Sequence, residues 1–443
     1  MRPSISLLVA ALVGTALAAP AFESAEPYLD SLILAEMATN HIPGLAACVV
    51  RGSELAWHGE YGFARLEDSV PVVDSTVFDL ASVSKTATAA ALMQLSERGL
   101  FELDDDINAS LPFSVRHASY PSTPITFRML LTHTSGIVDY WPTFQRLQRQ
   151  GDPDVPLRRF VEGYLVPGGE FFDSTNNFGP GPPGTEYRYS NLAIALAGYL
   201  VEANADSFHC YTRDSLFHPL GMNRTVWYFR DIDTNGMAMP YYYSDLGHVR
   251  YGHQSLPDVP AGTLKSSALQ LVRFTAAVMN YGCWQGVRIL DSATAALMTT
   301  VQHPSGVGLV FRQTYIGPRE TWGHAGMWNG ISTRIAFCRA DRTAVVVLCN
   351  LGAVSGTIEG IFLPALFGWA SSVRENGPGS DASPRPGSAN DRTPGSEPLV
   401  LFDITGRRVA RLQFDAGSPA RIRPGVYFAR SASGSTRKIV ARR

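Results

Sequence analysis

Phe78-Asp-Leu-Ala-Ser-Val-Ser-Lys85 is the stretch on which the reading of this chain turns. Ser82 and Lys85 stand three residues apart at the start of an alanine-rich run, so on a helix they share one face. Lysine is rare here. Of 37 basic side chains only Lys85, Lys265 and Lys438 are lysine. Arginine stays protonated in proteins, whereas a buried lysine can lose its proton and act as a base. Spacing alone does not decide the matter, because Ser435 and Lys438 repeat it with no helical pattern around them. Ser84 lies at no helical distance from Lys85 and reads as a mere neighbour.

Length and composition narrow the class. The 443 residues suggest two to four domains, and 45% hydrophobic with 17% charged residues fits a globular protein with a large core. A formal charge of -2 argues against a nucleic-acid binder. Residues 1–18 read as a cleaved signal peptide: Arg2, an apolar run from Ile5 to Leu17, and small residues at Ala16-Leu17-Ala18. That run is shorter than the ~18–20 residues a membrane span needs, so no integral membrane segment is expected after cleavage. The expectation is an exported protein, in the periplasm in transit and then at the cell surface or secreted. Five cysteines show no metal-ligand spacing, and Cys48, Cys338 and Cys349 in apolar runs read as buried free thiols. Neither a metal nor a cofactor is expected.

From Asn376 to Pro398, 13 of 23 residues are Gly, Pro or Ser, which marks a linker. It separates residues 19–375 from a β-rich segment at 399–443. Within the larger part, strands are expected at Leu45–Val50, Leu55–Tyr61, Gly306–Phe311, Thr321–His324, Thr333–Cys338 and Thr343–Cys349. Helices are expected at Ser82–Arg98, Thr126–Leu131, Asn191–Ala203, Leu264–Asn280, Ser292–Val301 and Ser355–Ser371. Strands at both ends with helices between them suggest one antiparallel sheet closed by the N- and C-terminal segments, plus a mostly helical lobe. The two-lobed α/β arrangement places Ser82 near the seam, where clefts form.

Three pieces occur in order: Ser82-x-x-Lys85, Tyr189-Ser190-Asn191 and His324-Ala325-Gly326. Each has a use in acyl transfer. A serine hydroxyl needs a neighbouring base to become a nucleophile. Lys85, if buried, has a lowered pKa and can share in proton transfer. Tyr189 can act as phenol or phenolate, Asn191 can orient Lys85 and donate to a substrate amide, and His324 adds a donor on the opposite wall. A backbone N–H at the strand His324–Met327 would complete an oxyanion hole.

This ordered set resembles the serine β-lactamase and penicillin-binding-protein superfamily, in its class C β-lactamase-like branch of D-Ala-D-Ala carboxypeptidases, D-aminopeptidases and esterases. Flanking segments extend the resemblance over about residues 27–370, among them Leu130-Leu-Thr-His-Thr-Ser-Gly136, Pro183-Gly-Thr-Glu-Tyr-Arg-Tyr-Ser-Asn191 and Pro260-Ala-Gly-Thr-Leu-Lys-Ser-Ser267. It implies the β-lactamase-like fold, with Ser82 as acylated nucleophile, Lys85 and Tyr189 as the proton-transfer pair, and Asn191, His324, Gly326 and Met327 on the substrate and oxyanion walls. The implied substrate is a small ester, a β-lactam or a peptidoglycan-type peptide. His133, in a helix-closing segment, reads as structural. Two departures favour esters or peptides over β-lactams. His324 stands where a lysine is common, and Ala325 replaces a hydroxyl residue, so both lose hold on a substrate carboxylate. A catalytically inactive relative that binds peptidoglycan fragments or forms a scaffold is the alternative. The tail, with alternating residues over Leu399–Leu412 and a second pair at Pro424–Arg430 and Thr436–Arg442, resembles the sorting domain of type IX secretion cargo. That implies the secretion machinery as a partner; a generic β-rich adhesion module is the alternative reading of the tail.

Overall fold

A computed structural model describes residues 27–375 together with segments 399–402, 408–412, 425–430 and 436–441. The expected signal peptide and linker lie outside the described residues. Helix α1 (Pro27–Thr39) leads into strands β1 (Gly44–Arg51), β2 (Glu54–Arg65) and β3 (Val70–Pro71). Helices α2 (Ser84–Glu97), α3 (Asn191–Asn204) and α4 (Ala268–Met279) follow. The chain then returns through β4 (Arg312–Ile316), β5 (Arg319–Trp328), β6 (Ile331–Cys338) and β7 (Thr343–Cys349) to α5 (Leu363–Glu375).

The seven strands form one sheet in the order β4-β5-β6-β7-β1-β2-β3. First and last strands meet at its middle, with Leu45 opposite Cys349 and Cys48 opposite Val346. The sheet is therefore closed by the two ends of the domain, as the sequence pattern suggests. β1 is buried along nearly its whole length, and its alternate residues serve two cores. Ala46, Cys48 and Val50 face the helical lobe, while Leu45, Ala47 and Val49 pack toward α1 and α5. A strand covered on both faces needs the unbroken apolar run found at Leu45–Val50. The five cysteines are free thiols, with Cys48, Cys338 and Cys349 buried.

Several expected elements differ, among them the final helix, which is interrupted by a π-turn at Ile358–Phe362. Gly306–Phe311 is not a strand. Val310 sits at a φ of 69°, which breaks the extended path, and the strand begins only at Arg312. Leu264–Asn280 is not one helix. Lys265–Ser266 pairs with Phe78–Asp79 as a short antiparallel ladder, and the Ser267 hydroxyl, accepting from the Gln270 N–H, opens the helix at Ala268. The helix at Ser292 ends at Met298, short of Val301.

In the tail, residues 399–402 pair with 408–412 and with 425–430, which pairs in turn with 436–441. Both expected hairpins are present, joined into one four-stranded antiparallel sheet. Lys438 lies within a strand, so its spacing from Ser435 has no helical meaning. Among the described residues no helix is long and apolar enough to cross a membrane.

Close packing at one glycine brings sheet and helices together. A Cβ on Gly326 would lie 2.2 Å from both the Leu80 carbonyl oxygen and Thr333 Oγ1. β5 can thus lie directly against the turn that carries Ser82 only because position 326 has no side chain.

Candidate active site

Ser82 stands on a tight 3-10 turn, Ala81–Val83, immediately before α2. It therefore precedes the α-helix that was expected to contain it, although the geometry still delivers Lys85 to its oxygen. Ala81 adopts a φ of 47°, a left-handed conformation that costs an alanine about 1–2 kcal/mol. The neighbours hold it there. Leu80 N–H donates to the Leu264 carbonyl (2.8 Å), and Thr333 Oγ1 donates to the Leu80 carbonyl (2.7 Å). Ser84 is the third clamp. Its hydroxyl donates to the Ala81 carbonyl at 2.6 Å and accepts from Leu264 N–H at 3.0 Å. It is a brace of the turn, not the mere neighbour that spacing suggested.

Lys85 is fully buried. Its Nζ donates to Ser82 Oγ at 3.0 Å and to the Ala261 carbonyl at 2.6 Å. One turn further along α2, Thr88 Oγ1 donates to the Pro260 carbonyl at 2.6 Å. A single turn of chain, Pro260–Ala261, thus binds two residues on one helix face. It reaches them through another close approach, for a Cβ on Gly198 of α3 would meet Pro260 at 2.3 Å. Burial pushes the Lys85 pKa down to about 8, while the Asp258 and Asp139 carboxylates pull the other way.

Tyr189 lies beside this pair, with the Lys85 ammonium 5.0 Å from its ring centroid. Its ring edges the cleft mouth, 39% exposed, yet desolvation raises the phenol above its ordinary range while a hydrogen bond to Ser82 opposes the rise. His133 fixes the approach to this residue. Its carbonyl accepts from Arg188 N–H (2.7 Å), its Nδ1 accepts from Ser190 N–H (3.2 Å), and its ring lies 4.5 Å from that of Tyr189. The structural reading of His133 stands.

Asn191 does not hold Lys85. Its Nδ2 donates to Asp139 Oδ2 at 2.9 Å. Asp139 also accepts from Asn191 N–H (2.8 Å), Leu192 N–H (3.0 Å) and Ser190 Oγ (3.0 Å). One carboxylate therefore closes the N-terminus of α3, where unpaired N–H groups and the helix dipole favour negative charge. Burial raises its pKa, while the bonds from Leu192 N–H, Asn191 N–H and Ser190 Oγ and the Lys85 charge oppose the rise. The sequence reading missed Asp139 and also missed Asp258, whose pKa burial raises beside Lys85.

His324 departs from expectation as well. Its Nδ1 lies 2.6 Å from the Ala325 carbonyl oxygen, which can only accept, so Nδ1 carries the proton. Nε2 is then a lone-pair acceptor, buried and without a hydrogen-bond partner among the described residues, and not the donor anticipated. Burial and the nearby Lys85 charge lower its pKa to about 3. β4 pairs with β5 only as far as Gly323, so from His324 to Met327 the outer edge of β5 lies open beside the Ser82 turn. Gly326 is the spacer in this stretch, and Met327 is 60% exposed at the cleft.

The cleft measures about 830 Å³ and is lined by Ser82, Tyr189, Asn191, Asp139, Asp258 and Met327 among others. A second cavity of about 440 Å³, around Trp284 and Arg273, contains none of these groups. A serine with a buried lysine and a tyrosine at its oxygen, between a helical lobe and an antiparallel sheet, defines the class. It is the β-lactamase and penicillin-binding-protein-like serine hydrolase superfamily. The Beta-lactamase family model matches residues 29–357, and the chain belongs to that family.

Penicillin-binding protein 4* of Bacillus subtilis is 24% identical over 328 residues, covering 68% of this chain and 66% of its own length. Penicillin-binding protein 4 of Amycolatopsis lactamdurans is 29% identical over 306 residues, covering 66% and 73%. The chain spans just under two thirds of the first of these and 58% of Beta-lactamase-like protein 2 of Dictyostelium discoideum. In structure it is similar to the octameric penicillin-binding protein homologue from Pyrococcus abyssi, with a TM-score of 0.62 at 20% identity over 93% of this chain and 89% of that one. The D-amino acid amidase from Ochrobactrum anthropi gives 0.61 at 21% identity over 79% and 99%. These structural likenesses establish the fold.

The Asp139 clamp has a measurable consequence. Asp139→Ala removes a helix cap and a charge-assisted acceptor, and should lower unfolding stability by about 2 kcal/mol. Denaturant titration reads it directly, and a midpoint equal to that of the unaltered protein would remove the clamp from the account.

Proposed function

We propose that this chain is an exported serine hydrolase that forms an acyl-enzyme at Ser82 on an ester or amide substrate. The observation that carries the reading is the 3.0 Å contact between the Lys85 ammonium and Ser82 Oγ inside a cleft. In the acylation step Ser82 Oγ bonds to the substrate carbonyl carbon, and its proton passes to the Lys85–Tyr189 pair. The bond to the leaving alcohol or amine then breaks, and that proton is returned to it. Backbone N–H groups of Ser82 and Met327 would receive the oxyanion. Water, activated by the same pair, releases the acid and restores Ser82. With a pKa of about 3, His324 stays neutral through this cycle and carries no proton at working pH.

A fluorophosphonate or penicillin probe should label the protein, and Ser82→Ala should abolish the adduct. Protonated Lys85 cannot accept a proton, and its pKa is lowered to about 8. The labelling rate should therefore rise with pH through that region and level off above it. A protein that no probe labels at Ser82 would be the non-catalytic relative.

The leaving-group side points to esters or peptides. Neutral His324 and the methyl group of Ala325 provide no cation or hydroxyl for a carboxylate, so p-nitrophenyl ester turnover should exceed nitrocefin turnover. The reverse ranking would refute that argument. Arg312 supports a second reading. It takes part in no ion pair among the described residues, its charge reaches Tyr189 and His324, and its Nη1 donates to the Tyr187 hydroxyl at 3.0 Å. If it receives the terminal carboxylate of a peptide, D-Ala-D-Ala peptide turnover falls at least tenfold in Arg312→Gln while ester turnover persists.

Export and sorting complete the proposal. The basic tail, with its four antiparallel strands, would serve as a type IX secretion signal. Residues 376–443 fused to a periplasmic reporter should carry it to the surface of a host with that machinery, and a reporter left in the periplasm would sink the idea.

A further inference from the structure

The cavity of about 440 Å³ around Trp284 and Arg273 shares no lining residue with the Ser82 cleft. Its volume falls in the roughly 300–1,000 Å³ range of small-molecule sites. It is enclosed by α4, the facing ends of β1 and β2, the loop Pro219–Gly221, and the short hairpin of Cys283–Trp284 with Val287–Arg288. Val50, Leu220, Val272 and Trp284 give buried apolar walls, while Leu55 and Val287, 43% and 37% exposed, mark the rim.

The frame is fixed by bonds between turns. Gln285 Nε2 donates to the Ser53 carbonyl at 3.0 Å, and Asn280 Nδ2 donates to the Gly52 carbonyl at 2.7 Å. A cavity held in this way exists before any ligand arrives, so binding costs little reorganisation.

Arg273 is the only charged residue in the lining, and it takes part in no ion pair among the described residues. Its Nη1 donates to the carbonyls of Gly221 (2.9 Å) and Leu220 (3.3 Å). A Cβ on Gly221 would lie 2.7 Å from that nitrogen, so the close approach requires glycine and sets the orientation of the guanidinium. Nε and Nη2 have no hydrogen-bond partner among the described residues, and neither is shut off from water. Together they form one edge of the planar fork, the edge that takes a carboxylate through two parallel bonds. The Trp284 indole N–H is unpartnered in the same way.

These features narrow the ligand. One cation and no acidic group select a single negative charge. Phosphate or a dicarboxylate would bring a second charge with no cation to meet it. Acetate would leave the apolar walls wet, and an alcohol would leave the fork unfilled. We propose that this cavity is a binding site for a small apolar monocarboxylate. The carboxylate lies on the Nε–Nη2 edge of Arg273, and the hydrocarbon part packs against Val50, Leu220, Val272 and the Trp284 ring. The site uses no cleft residue, so it stands apart from the chemistry at Ser82.

Calorimetric titration of the full chain with sodium hexanoate, hexanol and sodium acetate separates charge from chain. Each buried methylene adds about fourfold in affinity, and a charged hydrogen-bonded pair about tenfold or more. Hexanoate should therefore bind at least about tenfold more tightly than either of the other two. Val287→Glu sets a like charge at the rim and should weaken hexanoate about tenfold, while Val287→Gln should keep the affinity. Arg273→Lys retains the charge but not the fork, and should weaken hexanoate about fivefold or more. Should these variants fail to fold, hexanoate raises the unfolding temperature of the wild type where equal concentrations of hexanol and acetate do not. Equal binding of hexanoate and hexanol, or of hexanoate and acetate, overturns the site. So does an affinity unchanged in Val287→Glu, which would put the acid in the Ser82 cleft or elsewhere.

Discussion

An ammonium group removed from water is the constraint on which this structure depends. The effective penalty for burying an ion is several kcal/mol unless strong partners replace the lost hydration. Lys85 finds them in the Ala261 carbonyl and the Ser82 oxygen, with the Asp258 and Asp139 charges close enough to stabilise the cation. Each partner sets a demand on the chain. The Pro260–Ala261 turn must reach α2, so α3 presents Gly198 to it. Ser82 must turn back toward Nζ, so Ala81 takes a left-handed conformation braced by Ser84, Thr333 and Leu264. The alanines around Lys85 keep α2 thin enough to be packed on every side.

Much of this was legible from residue types alone. The rarity of lysine pointed to Lys85, and Lys85 and Lys265 are both buried. Lys265 lies 3.6 Å from Asp79 across the short ladder beneath the Ser82 turn. The continuous apolar run at Leu45–Val50 announced a strand covered on both faces, and the return of strands late in the chain announced the closed sheet. Ser82, Lys85 and Tyr189 meet as their order suggested, and Asn191, His324 and Met327 line or border the same cleft.

What stayed hidden lay in geometry, not in residue types. Asp139 lies 52 residues before the helix it closes, and a single acidic residue in a loop carries no local pattern. Ser84 acts through its contacts with Ala81 and Leu264, which spacing along one helix cannot show. The His324 proton sits on Nδ1 because the Ala325 carbonyl folds back upon it, a local geometry that no motif encodes. Gly306–Phe311 has strand composition, yet the φ of Val310 overrides it. For Asp139 and Ser84 a contact distant in sequence decided the role, and for His324 and Val310 a backbone conformation that residue type does not encode.

The meeting of β1 and β7 at the centre of the sheet bears on how the molecule is built in time. Leu45 waits for Cys349, so about three hundred residues must be made before the middle of the sheet can close. Pairings of such long range are slow to form, because loop closure comes before any contact repays it. Until then β1, β2 and β3 are parted from the four later strands, and β5, the wall of the cleft opposite the helices, is not joined to them. The Ser82 turn, made early, thus meets its facing strand only when the chain has been made as far as Gly326.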